Sequence, residues 1–309
     1  MRSTLDLIEN LVTAALEEMS EELAARCGKV ANLGKETSGI SSTPVNGALT
    51  ELDGRVQDHV TKALLAADLN LGFLFEEDTE LLRGHASDTG ELAAIFDPID
   101  GTISYIKGQH DYCSMFGVSH RGRIVMGILA FYHPFRIFVG RVDRATTTTT
   151  ETVFRSGSPL RIVCHYRLFH EPYGATRRAL EDAGCIVVPM PLDLEGPGQR
   201  SFAWAMDRGV GSNGAAIMAV LEGHWDAYLA PHVSLHDFAG PWGVAEARGA
   251  ACVKFEMNDD GRSNDWKVDP NAAFLVPTRG DYPKRYRLMI ACDQDVARRV
   301  RDILGTVQG

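Results

Sequence analysis

Cysteine is scarce and scattered in this chain of 309 residues. The six cysteines form no Cys-x-x-Cys pair and stand apart at positions 27, 113, 164, 185, 252 and 292. Dispersed cysteines of this kind are typical of reduced, mostly buried thiols in a cytoplasmic protein. The Gly-x-x-x-x-Gly-Lys-Ser/Thr loop of P-loop NTPases is also missing, which excludes that class of phosphate site.

Long hydrophobic runs and an excess of basic residues are missing too. No uncharged stretch approaches the roughly 20 residues of a membrane helix, and glutamates interrupt the N-terminal segment where a signal peptide would be apolar. The net charge of -10 argues against general binding to nucleic acid or acidic membranes. An acidic protein can still bind an anionic substrate where metal ions supply positive charge.

Hydrophobic residues make up 45% of the chain, enough for one large core or two coupled domains. In residues 1–152, Ser3 and Asp6 resemble a capping box at the start of the first helix. The predicted elements of this half are helices over 4–26 and 50–67, strands over 73–75, 92–96 and 135–142, and a hairpin of 112–120 and 124–132. In residues 153–309 we predict strands over 160–164, 186–188, 251–255 and 273–276, and helices over 173–183, 212–222, about 236–248 and 293–304. The first half therefore reads as α+β and the second as α/β.

One segment, Ile95–Thr102, concentrates groups that suit metal and phosphate chemistry. An apolar pair, predicted to end a strand, precedes two carboxylates three residues apart, Asp97 and Asp100, followed by Gly101 and Thr102. Mg²⁺ and Ca²⁺ prefer such oxygen ligands, and the backbone N–H groups of an open Gly-Thr turn can face an anion. Asp-Pro and Asp-Gly are also ordinary turn dipeptides, so the segment alone is equally compatible with a plain turn.

Three further acidic residues stand near the ends of apolar runs. Glu76 follows 73–75, Asp53 lies in the first turn of the second helix, and Asp237 opens a later helix. Each has a structural explanation by itself, as a solvated turn or as a favourable charge at a helix N-terminus. The functional hypothesis depends on their combination with Asp97 and Asp100.

In combination these segments resemble the inositol monophosphatase superfamily of Mg²⁺-dependent, lithium-sensitive phosphatases, which also includes fructose-1,6-bisphosphatases and 3′-phosphoadenosine phosphatases. The matching segments, spread over about residues 4–305, are Thr50–Asp53, Phe75–Glu77, Asp97–Thr102, Gly211-Ser212, His236–Gly240, Glu246–Gly249 and Ile290-Ala291. The resemblance implies a layered α-β-α-β-α sandwich, a homodimer, and two or three Mg²⁺ ions, with Mn²⁺ as the alternative ion.

The resemblance also implies a role for each matching residue. Glu76, Asp97 and the backbone carbonyl of Ile99 would bind a first ion, and Asp97, Asp100 and Asp237 would bind a second. Glu76 would help to hold a third ion through water. Thr102, oriented by Asp53, would position the attacking water, and the backbone N–H groups of Gly101 and Thr102 would hold the phosphate.

The departures from the family pattern concern substrate choice. His236 replaces a tryptophan, Ser104 replaces an asparagine, and Asn213 replaces the first of two alanines. Ala230 stands seven residues before Asp237, where inositol phosphatases carry a glutamate that contacts inositol hydroxyls. Because a site built to bind polar groups discriminates strongly through them, this loss favours a sugar or nucleotide phosphate over myo-inositol phosphate.

A tryptophan and two arginines fall in the region that lines the substrate pocket of such enzymes. Arg200, Trp204 and Arg208 could hold a base or a second phosphate. A core tryptophan with surface arginines is the plainer alternative.

We therefore predict a cytoplasmic Mg²⁺-dependent phosphomonoesterase that acts on a small phosphorylated metabolite and binds neither nucleic acid nor membrane. Three alternatives stay open. They are an inositol-1-phosphate phosphatase, an HD-type metal phosphohydrolase built on His236-Asp237 with further histidines on helices, and a phosphatase-like scaffold that has lost activity.

Overall fold

The N-terminal part of the protein is helical, as predicted. The computed structural model describes residues 1–34, 49–85, 91–144, 159–169, 173–190, 211–257, 266–269 and 285–307. Helix α1 (Arg2–Glu18) and helix α2 (Ser20–Arg26) adjoin at Met19, and α3 (Glu51–Leu65) is capped by Thr50. The predicted capping box at Ser3 and Asp6 is wrong, because α1 has Met1 as its N-cap and the Asp6 carboxylate accepts a hydrogen bond from Arg141.

The first sheet has its five strands in chain order: β1 (Gly72–Phe75), β2 (Leu92–Asp100), β3 (Cys113–His120), β4 (Arg123–Tyr132) and β5 (Phe135–Arg141). Only β1 and β2 run parallel, and the remaining neighbours are antiparallel. The predicted β3–β4 hairpin is confirmed. Its two central residues, Arg121 and Gly122, both have positive φ angles (50° and 80°), as the tight turns that match strand twist require.

The second sheet is mixed and has the order β7-β6-β8-β10-β9. Its strands are β6 (Arg161–Cys164), β7 (Ile186–Pro189), β8 (Ala227–Ser234), β9 (Ala251–Phe255) and β10 (Arg285–Ala291). The sequence analysis missed β8 and assigned no strand to β10. Pro231 in β8 is unusual for a central strand, and a shift in the β8–β10 register accommodates it. The predicted strand 273–276 lies outside the described residues.

The remaining helices are α4 (Glu80–His85), α5 (Thr102–Ile106), α6 (Gly174–Asp182), α7 (Asn213–Leu221), α8 (Ala239–Ala247) and α9 (Gln294–Leu304), with a 3₁₀ turn over Tyr166–Phe169. The short helices α4 and α5 and the 3₁₀ turn were not predicted. Helix α8 begins at Ala239, later than expected, so Asp237 lies in the turn that precedes it.

These elements stack in five layers, which confirms the predicted α-β-α-β-α sandwich. Helices α1 and α3 cover the outer face of the first sheet, α7 and α8 lie between the sheets, and α6 and α9 cover the second sheet. Glycines let α8 approach the first sheet closely. A Cβ atom at Gly127 of β4 would lie 1.9 Å from the Gly240 carbonyl oxygen. This contact fixes the start of α8, and Asp237 with it.

All six cysteines are free, as the sequence analysis predicted. Across the described ranges, every helix is too short or too polar to cross a membrane.

Candidate active site

Four carboxylates meet where strands of both sheets end. Glu76 directly follows β1, and its N–H donates to the Phe96 carbonyl of the parallel strand β2 at 2.9 Å. The predicted end of β2 at Phe96 is wrong, because the strand continues to Asp100. Its register against β3 shifts between Asp97 and Asp100, the signature of a β-bulge around Pro98. The bulge keeps both carboxylates at the edge where Glu76 lies.

Burial and mutual repulsion make this cluster costly without a cation. The Asp97 side chain is buried, and within the described residues its Oδ1 atom has no hydrogen-bond partner. Burial, with the charges of Glu76, Asp100 and Asp237, raises the pKa of Asp97 well above its ordinary value. An unpartnered carboxylate oxygen facing three other carboxylates fits a divalent cation, which would satisfy the oxygen and offset the repulsion.

Asp100 is held firmly by the N-terminus of α7. Its carboxylate accepts hydrogen bonds from Ser212 Oγ (2.5 Å), the Gly214 N–H (2.9 Å) and Asn213 Nδ2 (3.2 Å). Burial raises the pKa of Asp100 to about 8, although the bonds from Ser212 and Gly214 act in the opposite direction. Asn213 is itself fixed by Tyr228, whose hydroxyl donates to Asn213 Oδ1 at 2.5 Å.

These contacts change the role expected for Asn213. It was predicted as a substrate contact, but the residue is only 6% exposed and its amide supports Asp100. Sequence reasoning gave no role to Tyr228 and none of this kind to Ser212. A serine N-cap before a small-residue helix was a visible signal for Ser212, whereas Tyr228 lies on the missed strand β8.

Asp53 and Thr102 come together through the capping of α3. Asp53 Oδ2 accepts hydrogen bonds from the N–H (2.8 Å) and hydroxyl (2.6 Å) of Thr50, and its Oδ1 lies 3.4 Å from Thr102 Oγ1. Thr102 Oγ1 is closer to the Ile99 carbonyl, at 2.9 Å. Since one hydroxyl donates one hydrogen, Thr102 can serve either Ile99 or Asp53 at a given time.

Asp237 completes the cluster from the second sheet. The Ser234 N–H at the end of β8 donates to Asp237 Oδ2 at 2.6 Å, which orients the carboxylate. His236 Nε2 lies 3.4 Å from Asp237 Oδ1 and 3.9 Å from Glu76 Oε1. The histidine that replaces the family tryptophan therefore contacts the carboxylates themselves.

Gly101 occupies the turn between the cluster and α5. Its φ angle of +89° lies in the left-handed region, and an added Cβ would come within 3.3 Å of the Gly211 carbonyl and Ser212 Cβ. Glycine is therefore required where the chain enters α5 at Thr102.

Two predicted substrate contacts lie in the interior of the protein. The Ser104 and Ala230 side chains are both completely buried, and a substrate role for either stays a prediction. Ala230 packs in the core between the two sheets. Arg200, Trp204 and Arg208 lie outside the described residues.

Similarity to known proteins identifies the family of this chain. The family model of the inositol monophosphatases matches residues 4–284. The chain belongs to the inositol monophosphatase family. Inositol monophosphatase 2 of Saccharomyces cerevisiae is 23% identical over 237 residues, covering 75% of this chain and 76% of the relative.

Two solved structures have the same fold as this protein, although their sequence identity to it is low. An IMPase from Thermotoga maritima has a TM-score of 0.62 and 16% identity, and the match covers 100% of both chains. An IMPase/NADP phosphatase complexed with Mg²⁺ and phosphate has a TM-score of 0.64 and 17% identity, with 99% of this chain and 98% of that chain covered. Inositol monophosphatase family members are metal-dependent phosphatases, so the protein is classed as a phosphoric monoester hydrolase.

The competing sites do not have the required geometry. The HD-type alternative needs further histidines on helices, but His232 lies on strand β8. Cys292 and Arg298 have the Cys-x₅-Arg spacing of cysteine phosphatases. However, burial raises the pKa of the Cys292 thiol to about 12, and Arg298 pairs with Asp295 on the exposed face of α9.

Ligand atoms of Cys27, His110 and His133 lie within 4.8 Å of one another. The two histidine rings are stacked 3.9 Å apart with an interplanar angle of 13°. Lone pairs in nearly parallel, separated ring planes do not converge on one ion, so this arrangement is a ring stack and not a metal site.

Proposed function

We propose that this protein is a Mg²⁺-dependent phosphomonoesterase whose catalytic centre is the cluster of Glu76, Asp97, Asp100 and Asp237. The observation that carries the proposal is the buried, unpartnered Oδ1 atom of Asp97 among three other carboxylates. Such an arrangement is unfavourable for a merely structural site and suits a hard divalent cation. Bound ions would supply an acidified water and neutralise charge on the phosphate.

Different side chains and one backbone carbonyl of the protein would bind the two ions. Glu76, Asp97 and the Ile99 carbonyl would hold one ion, and Asp97, Asp100 and Asp237 a second, with Mn²⁺ as an alternative to Mg²⁺. Asp100 and Asp237 need little reorganisation, because backbone N–H groups already fix one oxygen of each. Ligands fixed in this way lower the cost of binding the ions.

Thr102 links ion binding to the positioning of water. If an ion drew the Ile99 carbonyl away from Thr102, the Thr102 hydroxyl would be free to donate to Asp53 Oδ1 instead. A hydroxyl that donates to Asp53 presents its lone pairs to a water molecule, and so orients that water toward phosphorus. The N–H groups of Gly101 and Thr102, at the start of α5, would hold the phosphate oxygens.

For the substrate, we favour a sugar or nucleotide phosphate over myo-inositol phosphate. Support comes from His236, which stands where the family carries an apolar ring and lies beside Asp237 and Glu76. Inositol-1-phosphate is the second candidate, since the curated relative is an inositol monophosphatase. A homodimer, the cytoplasmic location and the two-half division at residue 152 stay predictions.

A phosphatase panel tests the proposal. We expect phosphate release from at least one sugar, nucleotide or inositol phosphate with Mg²⁺, and none after chelation. Asp97→Asn should abolish turnover, whereas Asp78→Asn, which changes an exposed carboxylate two residues beyond Glu76, should retain it. Phosphate release by a folded Asp97→Asn protein would refute the assigned centre, and no release by the unmodified protein would favour the inactive scaffold.

A further inference from the structure

Two arginines stand at the edge of the second sheet where Asp237 lies. Arg285 opens β10 in register with Ser234, the residue whose N–H fixes Asp237. Arg167 lies in the 3₁₀ turn after β6, and its Nη1 is 3.4 Å from Nδ1 of His232 on β8. Because β6 and β8 are parallel, the chain leaves both strands at the same edge, where open α/β sheets bind ligands.

Both guanidinium groups retain unused binding capacity. Within the ranges that the structure describes, neither Arg167 nor Arg285 forms an ion pair with a carboxylate. Burial lowers the pKa of Arg285, and the carboxylates that most oppose this are Asp237 and Glu76. In a metal-loaded centre those carboxylates would hold ions, so they would offer Arg285 little compensation.

A third arginine, Arg287 on β10, has a structural role that Arg167 and Arg285 do not share. Arg287 is completely buried, stacks 4.9 Å from the Trp266 ring centre and donates to the Pro231 carbonyl. His232 lies among the arginines, and burial with their charges lowers its pKa to about 4, so it is neutral at physiological pH. The positive charge at this edge that lacks such a structural role therefore comes from Arg167 and Arg285.

We propose that Arg167 and Arg285 form a second anion-binding site beside the catalytic carboxylates, which takes an additional phosphate or carboxylate group of the substrate. The planar fork of a guanidinium matches either group. Asp237 and Glu76 are the catalytic carboxylates that act electrostatically on Arg285. This inference rests on the proposed phosphatase function and names its substrate class: phosphate esters whose alcohol part carries a second negative charge.

The test compares substrate pairs that differ by one anionic group. The pairs are glucose 1,6-bisphosphate with glucose 1-phosphate, and 3-phosphoglycerate with glycerol 3-phosphate, so the two arms distinguish phosphate from carboxylate. The variants are Arg167→Gln, Arg285→Gln and the double variant. Arg298→Gln is the matched control, because it removes the same charge from the exposed face of α9.

We expect the unmodified enzyme to prefer the doubly anionic member of at least one pair in kcat/KM. Each single variant should lower that preference about tenfold, as expected for one charge-assisted hydrogen bond. Activity on the singly anionic member should change less than about twofold, and Arg298→Gln should leave the preference intact. Equal loss on both members of each pair, or no preference in the unmodified enzyme, would overturn the inference.

A binding measurement separates this inference from the phosphatase proposal. Calorimetry with Mg²⁺ compares 2-carboxyethylphosphonate with ethylphosphonate, neither of which is hydrolysed. Tighter binding of the former, lost in the double variant, supports the anion site, and equal binding refutes it. If none of the four phosphate esters is hydrolysed, the wider phosphatase panel decides the phosphatase proposal, and this measurement still decides the anion site.

Discussion

Replacing Asp97 by asparagine should abolish activity and, at the same time, stabilise the metal-free protein. The Asp97 carboxyl is buried among Glu76, Asp100 and Asp237, which raises its pKa well above the ordinary value of 3.8. When the chain folds at a pH above 3.8, an aspartate whose pKa is higher in the folded state takes up a proton. Its cost to stability is therefore absent in acid and grows as the pH rises toward the folded-state pKa.

The size of this cost follows from the pH interval. Each pH unit above 3.8 costs about 1.4 kcal/mol while the folded group stays protonated, so the upper limit near neutral pH is about 5 kcal/mol. The asparagine variant avoids the cost but buries an amide in place of the carboxyl, which offsets part of the gain. We expect a gain of about 2 kcal/mol, or a Tm increase of about 4 °C.

The assay is thermal unfolding of both proteins in EDTA as a function of pH. The Tm difference should be largest near neutral pH and should vanish below about pH 3, under the ordinary pKa of 3.8, where Asp97 is protonated in both states. Mg²⁺ should raise the Tm of the unmodified protein more than that of the variant. Asp143→Asn is the control, and it should lower the Tm near neutral pH. Hydrogen bonds from Arg141 lower the pKa of Asp143, so the charge of Asp143 stabilises the fold.

Two results would refute this reasoning. One is a metal-free Asp97→Asn protein that melts at or below the temperature of the unmodified protein near neutral pH. The other is an equal Mg²⁺-induced increase in Tm for both proteins, which would mean that Asp97 is not a ligand.

Three further predictions concern the supports of the site and the packing of the layers. Thr102→Val should lower kcat about a hundredfold with little change in Tm, and Thr102→Ser should restore most activity. Asn213→Ala should raise the Mg²⁺ concentration needed for half-maximal activity at least tenfold, as for other supports of a metal ligand. Gly127→Ala should prevent stable folding, because the new methyl group would overlap the Gly240 carbonyl, 1.9 Å from the Cβ position.

Each of these predictions has an outcome that contradicts it. Full activity of the valine variant would remove Thr102 from the mechanism, and an unchanged Mg²⁺ requirement would make Asn213 a purely structural residue. A Gly127→Ala protein with an unchanged Tm would show that α8 does not approach β4 as closely as described. Circular dichroism checks the folding of each variant.

Local patterns in the sequence were sufficient for most of the architecture. The 3.6-residue apolar period located the N-terminal helical segment as one helix, where the structure has α1 and α2, and it also located α3. Arg121-Gly122 between two apolar runs identified the β3–β4 hairpin. Strand β8 was missed because Pro231 argues against a central strand, and only pairing with two neighbours reveals how a bulge accommodates it. Strand β10 was missed because Arg285 and Arg287 interrupt its apolar pattern. Arg287 is nevertheless buried, since it contacts Trp266 and the Pro231 carbonyl, which are distant in sequence.

The sequence by itself determined which groups are available for chemistry: two carboxylates around Pro98, a glycine at a position that needs a left-handed turn, and acidic residues after apolar runs. Their spacing also determined the family, because the motifs occur in a fixed order. Tertiary structure decided how these groups act together. Strand register placed Glu76 beside Asp97, burial removed Ser104 and Ala230 from the accessible surface, and the pairing of parallel strands β6 and β8 brought Arg167 to His232. Pairing and burial depend on contacts between residues distant in the chain, so local sequence could not specify them.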